Sequence, residues 1–156
     1  MKQRISSNGS SGRRGWNSST IAPILSTYYK KTEVTLLHAQ LQDASLTKSI
    51  TLFALPAGAI VLFIRLKHSV IFTGPAITAY YLMIGIAGGI QDLMTEYDVM
   101  GSAVSNTEYA ESFSAQSFDF NNPVNLLISA RSVGANLNTS TAGTALIEIY
   151  YIDKVA

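Results

Sequence analysis

The stretch from Ile60 to His68 reads Ile-Val-Leu-Phe-Ile-Arg-Leu-Lys-His. Successive side chains of a β-strand point to opposite faces. One face would carry Ile60, Leu62, Ile64 and Leu66, and the other Val61, Phe63, Arg65 and Lys67. The first face is predicted to lie in a hydrophobic core. The second face is apolar at Val61 and Phe63, which is expected where another surface covers it.

Similar short runs occur on both sides of this stretch, and none shows a 3.6-residue period over more than two turns. The predicted strands include Thr32–Leu41, Leu46–Leu55, Ile60–His68, Ile77–Ile86, Ser112–Phe120, Val124–Val133 and Thr144–Asp153. Turns rather than helices separate them, which favours antiparallel pairing. The sequence therefore predicts an all-β fold, an antiparallel β-sandwich of about eight strands.

Three later strands have clear inner faces. The predicted core residues are Tyr80, Leu82, Ile84 and Ile86, then Val124, Leu126, Ile128 and Ala130, then Ala145, Ile147, Ile149 and Tyr151. Thr144–Asp153 is apolar on both faces, so it should be central or lie at a subunit contact. Gln91–Val104 is interpreted as a long connection, with a helical turn at Asp92–Tyr97 as an option, and Gly134–Gly143 as a loop.

Length and composition limit the possible architectures. The chain has 156 residues, enough for one domain, and no cysteine, which excludes disulfides, thiol catalysis and thiolate zinc sites. Only 13% of its residues are charged whereas 47% are hydrophobic. This balance is too apolar for a disordered protein and predicts that a partner covers part of the surface.

Basic charge is concentrated at the N-terminus. The first 32 residues carry six of the eleven Lys and Arg residues and none of the ten acidic residues. Residues 6–20 contain one large apolar side chain, Trp16, and are expected to be mobile in isolation. We therefore predict a flexible basic arm at residues 1–31 and a β-sandwich domain at residues 32–156.

Three roles are open for this arm. It can bind nucleic acid through Arg13, Arg14 and Trp16, dock on an acidic protein surface, or act only as a solubilising terminus. Protein docking is favoured because apolar anchors accompany the charges, which phosphate binding would not require. The predicted docking residues are Arg13, Arg14, Trp16, Ile21, Ile24 and Leu25.

No motif predicts catalysis, a cofactor or a small-molecule substrate. His38 and His68 lie on different predicted strands without a neighbouring metal-binding pattern. Asp92, Glu96 and Asp98 form the one acidic cluster, but they lack the spacing of a dedicated calcium loop. A solvated polar connection is the preferred interpretation, and calcium binding between subunits stays open. Neither a nucleophile elbow nor a phosphate-binding glycine loop is present.

Two stretches, Ser49–Ile64 and Ser69–Gln91, contain no Lys, Arg, Asp or Glu. The second is long enough to cross a bilayer as a helix. However, Gly74 and Pro75 divide it into two shorter runs that are rich in β-branched and aromatic residues. We therefore predict strands here and no membrane span.

Three further segments are Leu46–Val61 (LTKSITLFALPAGAIV), Phe72–Thr78 (FTGPAIT) and Ser132–Gly143 (SVGANLNTSTAG). Their motifs and their order resemble small virion proteins of tailed bacteriophages that have a jelly-roll body. In those proteins a Leu-Pro-Ala-Gly strand end precedes a strand with outward basic residues. A Thr-Gly-(Gly/Pro)-Ala-Ile turn and a Gly-Ala-Asn-Leu hairpin follow. The similarity runs from about Leu46 to Ile152 and leaves the arm outside.

This resemblance implies a jelly-roll sandwich and a non-enzymatic capsid decoration (cement) protein. Such a protein is commonly trimeric, binds across subunits of the major capsid protein and lies on the capsid exterior. The residues expected at the subunit interface are Val61, Phe63, Tyr150 and Ile152. The alternatives are a tail or fibre component, with the loops at residues 92–105 and 134–143 contacting a host glycan, a glycan hydrolase, or a small membrane protein.

Overall fold

The computed structural model describes residues 29–101, 108–112 and 120–153, which form eight β-strands and two short 3-10 helices. The strands are β1 (Tyr29–Leu37), β2 (Thr47–Leu55), β3 (Ala59–Thr73), β4 (Ala79–Ile86), β5 (Gly89–Asp98), β6 (Glu108–Ser112), β7 (Val124–Val133) and β8 (Ala142–Asp153). The helices are η1 (His38–Leu41) and η2 (Leu137–Thr139). Most of the predicted strand at residues 112–120 and the arm to residue 28 lie outside the described residues.

The strands form two four-stranded antiparallel sheets. Sheet I has the order β1-β8-β3-β6, and sheet II has the order β2-β7-β4-β5. Consecutive strands lie in different sheets, except that β4 and β5 form a hairpin within sheet II. Eight strands connected in this way make the jelly roll, a sandwich of two interlocked Greek keys. The prediction of an all-β jelly-roll sandwich is confirmed.

The core lies between the inner faces of the two sheets. Strands β4, β7 and β8 present the inner faces that the sequence predicts: most of these side chains are 0% exposed, Tyr151 is 8% exposed, and Ile86 and Val124 are partly buried. Strand β8 lies between β1 and β3, so its predicted central position is also confirmed. Tyr80 and Phe72 are the largest side chains that are fully buried, and their rings lie 5.1 Å apart.

Strand β3 contains a β-bulge that the alternation pattern does not reveal. Val61 lies opposite Tyr151 of β8, whereas Phe63 lies opposite the preceding residue, Tyr150. Leu62 is therefore an extra residue on β3, and each extra residue reverses the order in which later side chains face in and out.

This reversal corrects the predicted faces of β3. Val61 is 0% exposed and belongs to the core, so the prediction that it points outward is wrong. Ile60, predicted to be in the core, lies opposite the outward residue Ile152. Beyond the bulge, Ile64 and Leu66 are buried as predicted.

Residues 91–98 form part of a strand, not the predicted connection or helical turn. The neighbouring residues Leu93 and Met94 are both 1% exposed, a pairing that simple alternation does not allow. Irregular register between β4 and β5 accommodates them. Two adjacent apolar residues thus removed the two-residue period by which the strand would have been recognised.

The first strand starts and ends earlier than predicted. Strand β1 pairs with β8 from Tyr29, three residues before the predicted domain boundary at residue 32. It ends at Leu37, where helix η1 begins, and the backbone N–H of Leu37 donates to Oε1 of Gln40 over 2.8 Å. In the described ranges, no helix is long and apolar enough to cross a membrane.

Candidate interaction surface

The outer face of sheet I brings together charged and apolar side chains from three strands. These side chains lie opposite or beside one another in the register and alternate with the core residues. They are Tyr29, Lys31 and Glu33 of β1, Ile60, Phe63, Arg65 and Lys67 of β3, and Leu146, Glu148, Tyr150 and Ile152 of β8. A sheet face of this composition is suited to burial against another protein surface.

One end of this face is an apolar patch, formed by Tyr29, Ile60, Phe63, Tyr150 and Ile152. In the register Ile152 lies between Tyr29 of β1 and Ile60 of β3. The rings of Phe63 and Tyr150 lie 5.5 Å apart in a tilted arrangement. Tyr29 is 52% exposed although it is large and aromatic. Aromatic residues of this kind commonly anchor protein interfaces.

A charged cluster borders the apolar patch. Glu148 is only 6% exposed and lies between two cations. Its Oε1 lies 2.6 Å from Nζ of Lys31, and its Oε2 lies 3.2 Å from Nη1 of Arg65. Glu33 lies directly opposite Glu148 in the register, and Lys31 contacts both carboxylates. The lysine therefore neutralises what would otherwise be a like-charge pair across the two strands.

These contacts shift the ionisation of the cluster. The hydrogen bond from the Lys31 ammonium, with the charge of Arg65, holds the pKa of Glu148 below its ordinary value of 4.5. The same carboxylate, together with Glu33, raises the pKa of Lys31. Lys31 also lies 5.5 Å from the centre of the Tyr150 ring, which links the charged cluster to the apolar patch.

The variant Glu148→Gln should be less stable than the wild type at neutral pH, and the difference should disappear in acid. A carboxyl with a lowered folded-state pKa stabilises the fold above its unfolded value of 4.5, and this contribution is lost as the pH falls through the folded-state pKa. Thermal melts between neutral and acidic pH measure this. Glu33→Gln is the control, because an exposed carboxylate on the same lysine contributes little. A pH-independent gap for Glu148→Gln would contradict the assignment.

Three of the four predicted interface residues, Phe63, Tyr150 and Ile152, do lie together on this face. Val61 does not, and Ile60 occupies the corresponding outer position. The sequence analysis missed Glu148 as a site residue, although one acid within an otherwise apolar strand was a visible signal. The predicted docking residues of the arm (Arg13, Arg14, Trp16, Ile21, Ile24 and Leu25) lie outside the described residues.

The acidic cluster at residues 92–98 is divided among separate contacts. Glu96 forms a two-pronged ion pair with Arg131, both distances being 2.6 Å. Oδ1 of Asp98 accepts the backbone N–H groups of Met100 and Gly101 at 2.9 and 2.8 Å. Across the part of the chain that the structure describes, no three acidic or histidine side chains are placed to hold a metal ion.

The two histidines are also separated. His38 lies in η1, whereas His68 is 1% exposed in β3 and its ring lies 5.9 Å from that of Tyr97. This position is consistent with the interpretation of His68 as a packed residue of its strand.

The fold is shared with chains of solved phage capsids. A chain of the Cyanophage Pam1 capsid asymmetric unit matches with a TM-score of 0.55 and 17% identity, covering 80% of this chain and 84% of that one. A chain of the capsid of Ralstonia phage GP4 matches with a TM-score of 0.53 and 18% identity, covering 82% and 84%. No family model matches the sequence. No curated protein matches it either. At these identities the similarity establishes the fold.

Proposed function

We propose that this chain is a structural protein of a tailed-phage virion that decorates and stabilises the capsid from outside. The observation that carries the proposal is the jelly-roll fold, which is shared with chains of two phage capsids. The segments that resemble small virion proteins lie in and around strands β2, β3 and β8 of this fold. The protein would act by binding across neighbouring subunits of the major capsid protein, without catalysis or a cofactor.

The outer face of sheet I is the proposed contact between copies of the chain. Its apolar patch and charged cluster lie side by side, as the centre and the rim of a protein interface do. A trimer ring requires a heterologous contact, so this face would meet a different surface on the next copy. A stable interface buries about 1,000 Å² or more in total, so the loops that flank the patch would also take part.

The basic arm is the proposed contact with the shell. Strand β1 is at the edge of sheet I and starts at Tyr29, beside the apolar patch, so the arm leaves the domain at this point. The 28 residues that precede β1 can span up to roughly 90 Å if they are extended, which exceeds the width of a small domain. An arm on each copy would add avidity to the binding of a trimer.

Removing residues 1–28 should leave the β-domain folded and should weaken capsid binding by at least about tenfold, because the arm supplies contact area and avidity. Binding is measured by co-sedimentation with capsids assembled without this chain, and circular dichroism checks the fold. The full-length triple variant of Arg13, Arg14 and Trp16 to Ser is the matched test of the docking residues.

Each outcome separates the two parts of the proposal. Equal binding with and without the arm would remove the arm from the mechanism but leave decoration intact. Failure of the full-length protein to bind capsids would contradict decoration itself. Steep salt dependence accompanied by binding to free DNA would instead indicate a nucleic-acid arm.

A further inference from the structure

The outer face of sheet II contains a pocket that is separate from the face proposed for assembly. Its volume is about 250 Å³, and its lining includes Ser49 of β2, Met83 of β4, Gln91 and Glu96 of β5, and Ser129 and Arg131 of β7. Met83 and Ser129 form its floor, and each is only 2% exposed although it lies on the outer face. Side chains from the neighbouring strands therefore stand above the sheet and enclose a space.

Contacts within the pocket hold its polar groups in place. Oγ of Ser49 lies 2.6 Å from Oγ of Ser129, so two hydroxyls meet on the floor. Glu96 and Arg131 are joined through two N–H···O bonds of 2.6 Å each. The guanidinium of Arg131 also lies over the ring of Tyr81, 4.6 Å from its centre. Side chains fixed in this way bind a ligand without first losing rotamer freedom.

The charges of the pocket favour an uncharged ligand. The carboxylate of Glu96 and the guanidinium of Arg131 already neutralise each other, so an anion or cation would have to compete with this pair. Lys48 at the rim donates its ammonium to the carbonyl of Gln42 over 2.8 Å. What remains for a ligand is hydrogen bonding with groups that are already paired but retain donor or acceptor capacity.

The hydrogen-bonding groups match a polyhydroxyl ligand. Serine hydroxyls and the Gln91 amide both donate and accept, Glu96 accepts, and Arg131 donates from a guanidinium that has five N–H groups. Hydroxyl groups on a sugar have the same double capacity. The thioether of Met83, in contact with Gln91 Nε2 at 3.3 Å, supplies a soft apolar surface for the C–H groups of a ring.

We propose that this pocket binds one ring of an uncharged sugar. The volume of about 250 Å³ is below the roughly 300–1,000 Å³ of pockets for larger ligands, which fits a single ring rather than an oligosaccharide. The proposal does not depend on where the protein lies in a virion. In a decorated capsid, many weak sugar sites on one particle would give it avidity for a glycan-covered surface.

The test is an NMR titration of the full-length protein with methyl α-D-glucopyranoside, methyl β-D-galactopyranoside, N-acetylglucosamine and, as a charged analogue, D-glucuronate. At least one neutral sugar should give saturable amide shifts around residues 47–49, 83, 91 and 129–131, with a dissociation constant on the order of 1 mM. D-glucuronate should bind more weakly. The absence of saturable shifts with all three neutral sugars up to tens of millimolar, or shifts that map elsewhere, would overturn the proposal.

Ser49→Val places the requirement for the pocket on one hydroxyl, at a strand position where a β-branched residue is tolerated. It should weaken sugar binding about fivefold, the effect of losing one hydrogen bond. The control is Thr51→Val, two residues along the same face of β2 and outside the pocket lining, which should leave the affinity unchanged. Gln91→Ala is the second pocket variant, and unaltered affinity in both pocket variants would overturn the site.

Discussion

The variant Val61→Asp is expected to unfold the protein, whereas Phe63→Asp, two residues further along the same strand, should leave it folded and monomeric. Val61 is 0% exposed in the core. Replacing it loses the burial of its apolar side chain and places a carboxyl in surroundings without a partner. The combined cost is more than about 4 kcal/mol, a large part of the roughly 5–15 kcal/mol that stabilises a domain.

Phe63 lies on the outer face, where its main described contact is the ring of Tyr150. Phe63→Asp should cost about 1–2 kcal/mol through the loss of that contact and of partial burial. A charge in the centre of an apolar interface is much more disruptive to assembly than to folding. Self-association should therefore be lost while the β-sheet spectrum is retained.

Circular dichroism melts and sedimentation velocity on the two variants provide the comparison. A folded Val61→Asp variant would show that β3 lacks the bulge at Leu62. An oligomer that survives Phe63→Asp would show that subunits meet elsewhere.

The variant Gly143→Ala should lose about 3–5 kcal/mol of stability, because steric overlap is added to backbone strain. Gly143 has a φ of +146°, a value that residues with a Cβ rarely adopt. A Cβ at this position would overlap the ring of Phe72, which is itself 0% exposed and cannot move without disturbing the core.

Gly88→Ala is the matched control, since Gly88 also has a positive φ, +93°, but no atom lies within 4 Å of where its Cβ would be. It should cost only about 1 kcal/mol, the strain alone. Urea unfolding of the two variants isolates the overlap as the difference between them. Equal losses would contradict the close packing of β8 on Phe72.

The parts of the fold that were predictable are those in which one residue period holds along a whole strand. In β7 and β8 every second residue from Leu126 to Ala130 and from Ala145 to Ile149 is buried, so the inner face was correctly predicted. The bulge at Leu62 and the buried pair of Leu93 and Met94 depend on the register of the partner strand, which local sequence does not specify.

The candidate surface was predictable in outline and not in detail. Aromatic residues on the outer faces of β3 and β8 gave three of the predicted interface positions. The ion cluster was not foreseen, because Lys31, Arg65 and Glu148 come from strands that are distant in sequence and adjacent only through the jelly-roll order β1-β8-β3. The pocket on sheet II depends in the same way on four strands meeting.

A jelly roll serves many unrelated functions, so the position of the chain in an assembly decides between decoration and a tail or fibre role. A cryo-EM reconstruction of the virion with this chain traced into it measures that position directly. Our account predicts trimers on the outside of the capsid, with the outer faces of sheet I between copies and the arms running over neighbouring capsid subunits. Density for this chain confined to the tail, or within the shell itself, would contradict it.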